Sequence, residues 1–298
     1  MAPPRLFAIS DLHVRHKANR AAVQQIAEHP DDWLILAGDL CERADDLEFV
    51  LDTLGPRFAQ LLWVPGNHEL WTTRHSELRG VAKYEGLVAL CREHGVLTPE
   101  DPWPVFPFPS GPVRIALLFL LYDYTFAPNG MDKAEALAWA AEAGIMCLDE
   151  VRLDHGPYPS REAWATARID AAEERLATEH ADLPTVLVNH WPLRFDLVRI
   201  PRVPRFAPWC GSLRTEDWHT RFNARVVISG HLHVRATDWR DGVRFEEVSL
   251  GYPRHWDQEV EPNLYLRPIL PGPAPPPQVE PDPAWHRLGG PRRRRRSR

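Results

Sequence analysis

Short apolar runs that end in polar residues recur along the chain, with helix-length stretches between them. Residues 5–10 (RLFAIS), 33–38 (WLILAG) and 61–66 (LLWVPG) read as strands, because continuous apolar runs of this length suit parallel strands covered on both faces. Helices are predicted near 18–29 and 44–54, giving the strand–helix–strand alternation of an α/β unit. Ser76 is a candidate cap for a helix running to about His94. A Pro-rich stretch at 98–112 then forbids regular helix until the strand at 113–122, VRIALLFLLY. Helices at 132–143 and 161–180 precede strands at 185–190 and 224–233. Residues 237–250 read as a hairpin turning at Asp241-Gly242, a dipeptide that suits the two positive-φ positions of a tight turn. The later strands predict a second, mixed sheet.

The chain has 298 residues, 44% of them apolar, enough for a sizeable core in one large or two modest domains. Its net charge is −6, and six Arg lie in the last seven residues, so the rest is more acidic still and a generally basic nucleic-acid binder is disfavoured. Four dispersed cysteines form no C-x-x-C pair, which argues against a disulfide framework or a thiolate zinc site. The most apolar run is about half a membrane span, so a cytoplasmic protein without a membrane span is expected. Residues 1–267 are expected to form one catalytic domain, with 123–182 a candidate cap over its site. The Pro- and Arg-rich 268–298 is expected to be a disordered tail, for want of apolar residues to bury.

The polar ends of the strands carry the chemistry: Asp11 and His13 (SDLH), Asp39 (GDL), Asn67 and His68 (GNHE), His190 (NHWP), then His231 and His233 (GHLH). In open α/β sheets, ligands collect at the carboxyl ends of strands. A spacing of two in Asp11-Leu12-His13 and His231-Leu232-His233 puts both polar side chains on one side of an extended segment and the leucine on the other. Carboxylate, imidazole and amide oxygen make a mixed O/N donor set that suits Mn, Fe, Zn or Co better than Ca or Mg.

These five elements, in this order behind apolar strands, resemble the calcineurin-like metallophosphoesterase family over residues 9–233. The resemblance implies a four-layer α/β/β/α sandwich of two mixed sheets flanked by helices, and hydrolysis of a phosphate ester by a metal-bridging hydroxide. It also implies two metal ions. One would be held by Asp11, His13, Asp39 and His233, the other by Asp39, Asn67, His190 and His231, with Asp39 bridging. His68 takes the position that assists the leaving oxygen, and Glu69 the position that orients His68. Two divalent ions polarise the phosphoryl group and lower the pKa of bound water toward neutrality.

The segment 191–214 holds five Arg on an acidic body, and Arg194, Arg199, Arg202 and Arg205 are candidate contacts for a phosphate or an acidic partner through guanidinium pairing. With DGVRFEEVSLGYPR, this segment resembles an actinobacterial branch of the family that includes phosphopantetheinyl hydrolases. That resemblance implies release of 4′-phosphopantetheine from a holo acyl or peptidyl carrier protein, an acidic partner, with Mn and Fe as the metals. A phosphohydrolase of nucleotides, cyclic nucleotides or sugar phosphates, and a non-catalytic scaffold, are the alternatives. Trp71, Trp191 and Trp209 are candidate pocket walls. Cys41 is expected to be a buried apolar side chain, Arg43 an exposed helix residue, and the other nine histidines, His16, His75 and His219 among them, receive no role.

Overall fold

In the computed structural model, residues 3–74, 76–179 and 183–275 are described. The first half runs β1 (Leu6–Ile9), α1 (Lys17–Gln25), β2 (His29–Leu36), α2 (Ala44–Leu54), β3 (Phe58–Trp63), α3 (Asn67–Leu70) and α4 (Gly80–Glu93). The middle holds β4 (Val105–Phe106), β5 (Val113–Leu117), α5 (Lys133–Ala141), α6 (Asp149–Arg152) and α7 (Arg161–Glu179). Then follow β6 (Thr185–Val188), α8 (Trp218–Arg221), β7 (Ala224–Ser229), β8 (Thr237–Arg240), β9 (Val243–Glu247) and β10 (Arg267–Leu270).

The strands form two mixed sheets, ordered β10-β1-β2-β3 and β4-β5-β6-β7-β9-β8. β1, β2 and β3 are parallel, as are β5, β6, β7 and β9, while β10, β4 and β8 are antiparallel edges. Period-two alternation separates two cores. Leu6, Ala8, Ile35 and Leu62 meet Ile115, Val188, Val226 and Ile228 between the sheets. Phe7, Ile9, Leu34 and Leu36 face Val23, Leu47, Val50 and Leu87 of the helices on the other side. Ile169 and Leu176 of α7 and Trp218 of α8 cover the second sheet, which completes the α/β/β/α sandwich.

Several boundaries differ from expectation for local reasons. The first helix stops at Gln25, not near 29, because His29 already pairs with Phe58 and the Asn263 side chain accepts the Ala27 N–H at 2.9 Å. Ser76 caps no helix: its hydroxyl accepts the Thr73 N–H at 2.9 Å, and α4 begins at Gly80. The strand expected over 113–122 ends at Leu117, since Asn189 Oδ1 takes the Leu120 N–H at 2.9 Å in place of a ladder partner. The hairpin turns at Asp241-Gly242, with φ of 53° and 79°.

The domain extends past the 267 boundary. Ile269 and Leu270 are buried and β10 pairs with β1. The end of the 161–180 helix at 180, His75, and the tail beyond 275 with its Arg run lie outside the described residues. Within the expected cap, α7 is a crossover helix between parallel β5 and β6, and its side chains join the core. Among the described residues of that segment, only the stretch around α6 lines the site.

Candidate metal centre

The parallel strands of both sheets end along one edge, where the isolated bridge Ser10↔Ser249 ties the sheets together. Asp11 and His13 follow β1, Asp39 follows β2, Asn67 and His68 open α3 after β3, His190 follows β6, and His231 and His233 follow β7. Asp11, His13, Asp39, His231 and His233 all lie at positive φ, from 40° to 72°. Strained backbone of this kind persists only where the surrounding structure over-determines it. The two D/H-x-H segments are therefore not extended, contrary to the spacing argument. Leu12 is buried in the core, whereas Leu232 lines the cleft with the ligands.

Two motif glycines are required by close approach. A Cβ on Gly66 would lie 2.2 Å from Asp39 Oδ1, and one on Gly230 2.4 Å from Asp11 Oδ2.

Three sets of potential donor atoms each fall within 4.8 Å of one another: Asp11, His13 and His233; His13, Asp39 and His68; and Asp39, His190 and His231. His233 Nε2 lies 2.9 Å from Asp11 Oδ1, and His190 Nε2 lies 3.4 Å from Asp39 Oδ2. Asp11 Oδ2 is filled by the Ser10 and Ser249 hydroxyls and the His231 N–H, at 2.6, 2.7 and 3.1 Å, which leaves Oδ1 facing the histidines. Asp39 Oδ1 accepts the His68 N–H at 2.9 Å, so Oδ2 is the oxygen free to be shared.

Among the buried atoms here without a hydrogen-bond partner are Asn67 Oδ1, His68 Nδ1, His190 Nε2 and His231 Nε2. Buried polar atoms are normally satisfied. Asp39, His190 and His231 bring donor atoms within 4.8 Å of one another and Asn67 lines the same cleft as Asp39 and His231, so the donor set fits the second of two metal ions. His190 Nδ1 lies 2.9 Å from the Ala37 carbonyl, which assigns a proton to Nδ1 and leaves Nε2 facing Asp39. Against the downward push of burial, Asp39 raises the pKa of this ring to about 10, so a cation ligated at Nε2 would take the place of a proton there. Burial holds His13 and His231 down to about 3, so both imidazoles are neutral donors. Against the upward push of burial, His233 keeps Asp11, and His190 with His68 keep Asp39, well below the usual carboxylate range.

Glu69 does not orient His68. It is fully buried and its oxygens accept the backbone N–H groups of Asp39, Leu40 and Gly66 at 2.9, 2.5 and 3.0 Å, tying two strand ends together. His68 instead packs against Trp71, ring centroids 3.7 Å apart and planes inclined by 31°, with Nδ1 3.7 Å from Glu42 and Nε2 3.8 Å from Asp39. Burial lowers its pKa, but Asp39 and Glu42 outweigh burial and raise it, which favours the protonated ring. Glu42 was missed in the sequence; its place three residues after Asp39 in GDLCE was the available clue.

The centre opens into a cleft of about 710 Å³ walled by apolar residues such as Met146, Leu148, Ile200, Val203 and Phe206. A second recess of about 220 Å³ on the other side of His68 and Trp71 is lined by Arg15, His16, Glu42 and Arg152. Of the four candidate arginines, Arg199 and Arg202 line the cleft, Arg199 also pairing with Asp238. The other two do not. Arg194 is held by Asp196 at 2.9 Å and the Glu216 carbonyl at 3.2 Å, and Arg205 by Glu142 at 2.8 Å and the Trp139 carbonyl at 2.5 Å.

Trp71 lines the cleft, whereas Trp191 and Trp209 pack in the core behind it. Cys41 is buried, with its thiol pushed up by burial, and Arg43 is exposed and paired with Asp45. His219 is buried against Asp241, and His16 lines the smaller recess. Tyr252, Arg254 and His255, which follow β9 on the same edge, also line the cleft. Tyr252 stacks on His13 at 4.4 Å, and His255 Nδ1 lies 3.0 Å from His233 Nδ1. His255 was among the histidines given no role, because nothing in its spacing links it to His233.

The family model described as calcineurin-like phosphoesterase matches residues 4–235. The chain is 49% identical over 276 residues to the [acyl-carrier-protein] phosphodiesterase PptH of Mycobacterium tuberculosis strain H37Rv, an alignment covering 91% of this chain and 85% of that protein. It superposes on the crystal structure of phosphopantetheinyl hydrolase (PptH) from Mycobacterium tuberculosis with a TM-score of 0.87 at 48% identity, covering 92% of this chain and 99% of the other. Among the described residues, no helix is long and apolar enough to cross a membrane.

Proposed function

The chain belongs to the calcineurin-like phosphoesterase family, and from that premise we propose that it is a dinuclear-metal phosphodiesterase that releases 4′-phosphopantetheine from a holo acyl or peptidyl carrier protein. The observation that carries this reading is a set of histidine and carboxylate donors converging on Asp39, in a chain so similar along its length to a carrier-protein phosphodiesterase. Manganese and iron are the proposed metals, and the cytoplasm, with the carrier protein, is the proposed location.

Asp11, His13, Asp39 and His233 would hold one ion, and Asp39, Asn67, His190 and His231 the other. When bound, the ions supply Lewis-acid polarisation of the phosphoryl group and a lowered pKa for water. The remaining steps belong to the chain. Against the downward push of burial, Asp39 and Glu42 raise the His68 pKa and favour its protonated ring, which lies at the junction of the two recesses, placed to give a proton to the leaving serine oxygen. Packing against Trp71 holds the imidazole in place. The large cleft suits an extended, partly apolar arm, with aliphatic walls to exclude water and Arg202 and Arg254 at its exposed rim to meet anionic groups. The catalytic domain extends to β10.

Incubating the protein, loaded with manganese, with holo carrier protein and weighing the carrier by mass spectrometry tests the proposal. The expected result is a carrier lighter by one phosphopantetheine and carrying a free serine. An unchanged carrier, with bis-p-nitrophenyl phosphate still hydrolysed, overturns the substrate and leaves the phosphodiesterase.

A further inference from the structure

Asp149, the first residue of α6, is fully buried, and it lies 82 residues along the chain from the Asn67 side chain it touches. Its Oδ1 accepts Asn67 Nδ2 at 3.0 Å and Trp71 Nε1 at 2.6 Å. A side-chain amide has one donor end and one acceptor end. With the donor end of Asn67 tied to Asp149, the acceptor end must face away from it, and Asn67 Oδ1 is one of the buried atoms without a partner, on a residue that lines the same cleft as Asp39 and His231. The indole bonded to the same Asp149 oxygen is the ring against which His68 packs.

We infer that Asp149 is a positioning residue: through one oxygen it turns the Asn67 carbonyl toward the second metal and holds the Trp71 indole against His68. This rests on the metal-centre reading, in which Asn67 is a ligand. Its frame is stiff. The Arg152 carbonyl accepts both the Thr72 N–H and its hydroxyl, at 2.8 and 3.0 Å, and Trp71 bridges Leu153, so α6 is stapled along the Asn67–Thr72 segment. Cys147 and Leu148, just ahead of Asp149, form cleft wall. Wall and ligand are thereby one unit.

The role needs an acceptor, not a charge. Both donors share Oδ1, and Oδ2 is buried without a partner, so Asp149→Asn can keep both bonds with its amide nitrogen in the place of Oδ2. Leucine keeps the volume and removes the acceptor. An Asn67 freed from its partner can then turn its amide over, because that terminal torsion is broad and two-fold.

The test is elemental analysis of manganese-loaded protein after removal of free metal, with circular dichroism to confirm folding. Wild type and Asp149→Asn should carry two ions per chain, and Asp149→Leu one. In the double variant Asn67→Asp/Asp149→Leu the second ion should return, because a carboxylate presents an oxygen from either face. If Asp149→Leu does not fold, Asp149→Ser, which keeps a hydroxyl too short to reach Asn67, should show the same loss. Two ions in the folded Leu or Ser variant, or a second ion lost equally from Asp149→Asn, overturns the inference alone. A wild type that never holds two ions overturns the metal-centre reading and the inference with it.

Discussion

The Glu69 carboxylate accepts the backbone N–H of Asp39 at 2.9 Å, so the residue two after Asn67 sets the loop that presents the shared carboxylate. Its remaining bonds, from Leu40 and Gly66, close the same turn inside the protein. Glu69→Ala strands three buried N–H groups, and leaving a buried donor unpaired costs about 1–3 kcal/mol each. The expected outcome is a protein with a sharply lowered melting temperature that binds both ions poorly. Glu69→Gln, with one acceptor left, should fall between. Thermal denaturation with metal analysis checks this. A Gln variant with intact stability and metals but reduced turnover would instead place Glu69 on His68.

His68→Ala should leave the metal content unchanged, because His68 completes neither of the two proposed ligand sets. Its turnover should fall by about 10²–10⁴, the usual contribution of a positioned proton donor. Steady-state kinetics on a diester, with metal content measured on the same samples, checks this. Normal turnover would remove His68 from the mechanism.

How far the site was legible in the sequence depends on where each contact comes from. Asp11, Asp39, His190 and His233 could be read because each follows an apolar strand, and parallel strands bring their ends to one edge whatever the loops do. Asp149 could not: its meaning comes from Asn67 and Trp71, and nothing local marks it. The Arg-rich segment shows the same limit. Its charge is visible, but Arg194 is claimed by Asp196 two residues away and Arg205 by Glu142, 63 residues away. Composition does not say which guanidinium is already paired. The start of α4 differs for a smaller reason, since Ser76 closes a turn at Thr73 and the helix begins at Gly80.

Gly66→Ala should reproduce much of the effect of Asp39→Asn, although it alters no ligand. The added methyl would lie 2.2 Å from Asp39 Oδ1 and 2.6 Å from its backbone nitrogen, so Asp39 must move. Overpacking of this kind costs about 1–3 kcal/mol. Because Asp39 belongs to two donor sets, both variants should lose both ions together rather than one. Metal titration followed by elemental analysis distinguishes these outcomes, and full occupancy in Asp39→Asn would contradict the bridging role.

At the cleft rim, Arg202 and Arg205 lie three residues apart and should behave differently. Arg202 lines the cleft and is exposed, whereas Arg205 is bonded to Glu142 and the Trp139 carbonyl and stacks on the Trp139 ring. Reversing a rim charge acts chiefly on the encounter rate with a charged partner. Arg202→Glu should therefore cut kcat/KM for an acidic carrier protein about tenfold at low salt, with the deficit shrinking as ionic strength screens it. Arg205→Ala should lower the melting temperature and leave that salt dependence as in the wild type. Rates for both variants across a salt series test the assignment, and identical salt profiles for Arg202→Glu and wild type would take Arg202 out of the substrate's path.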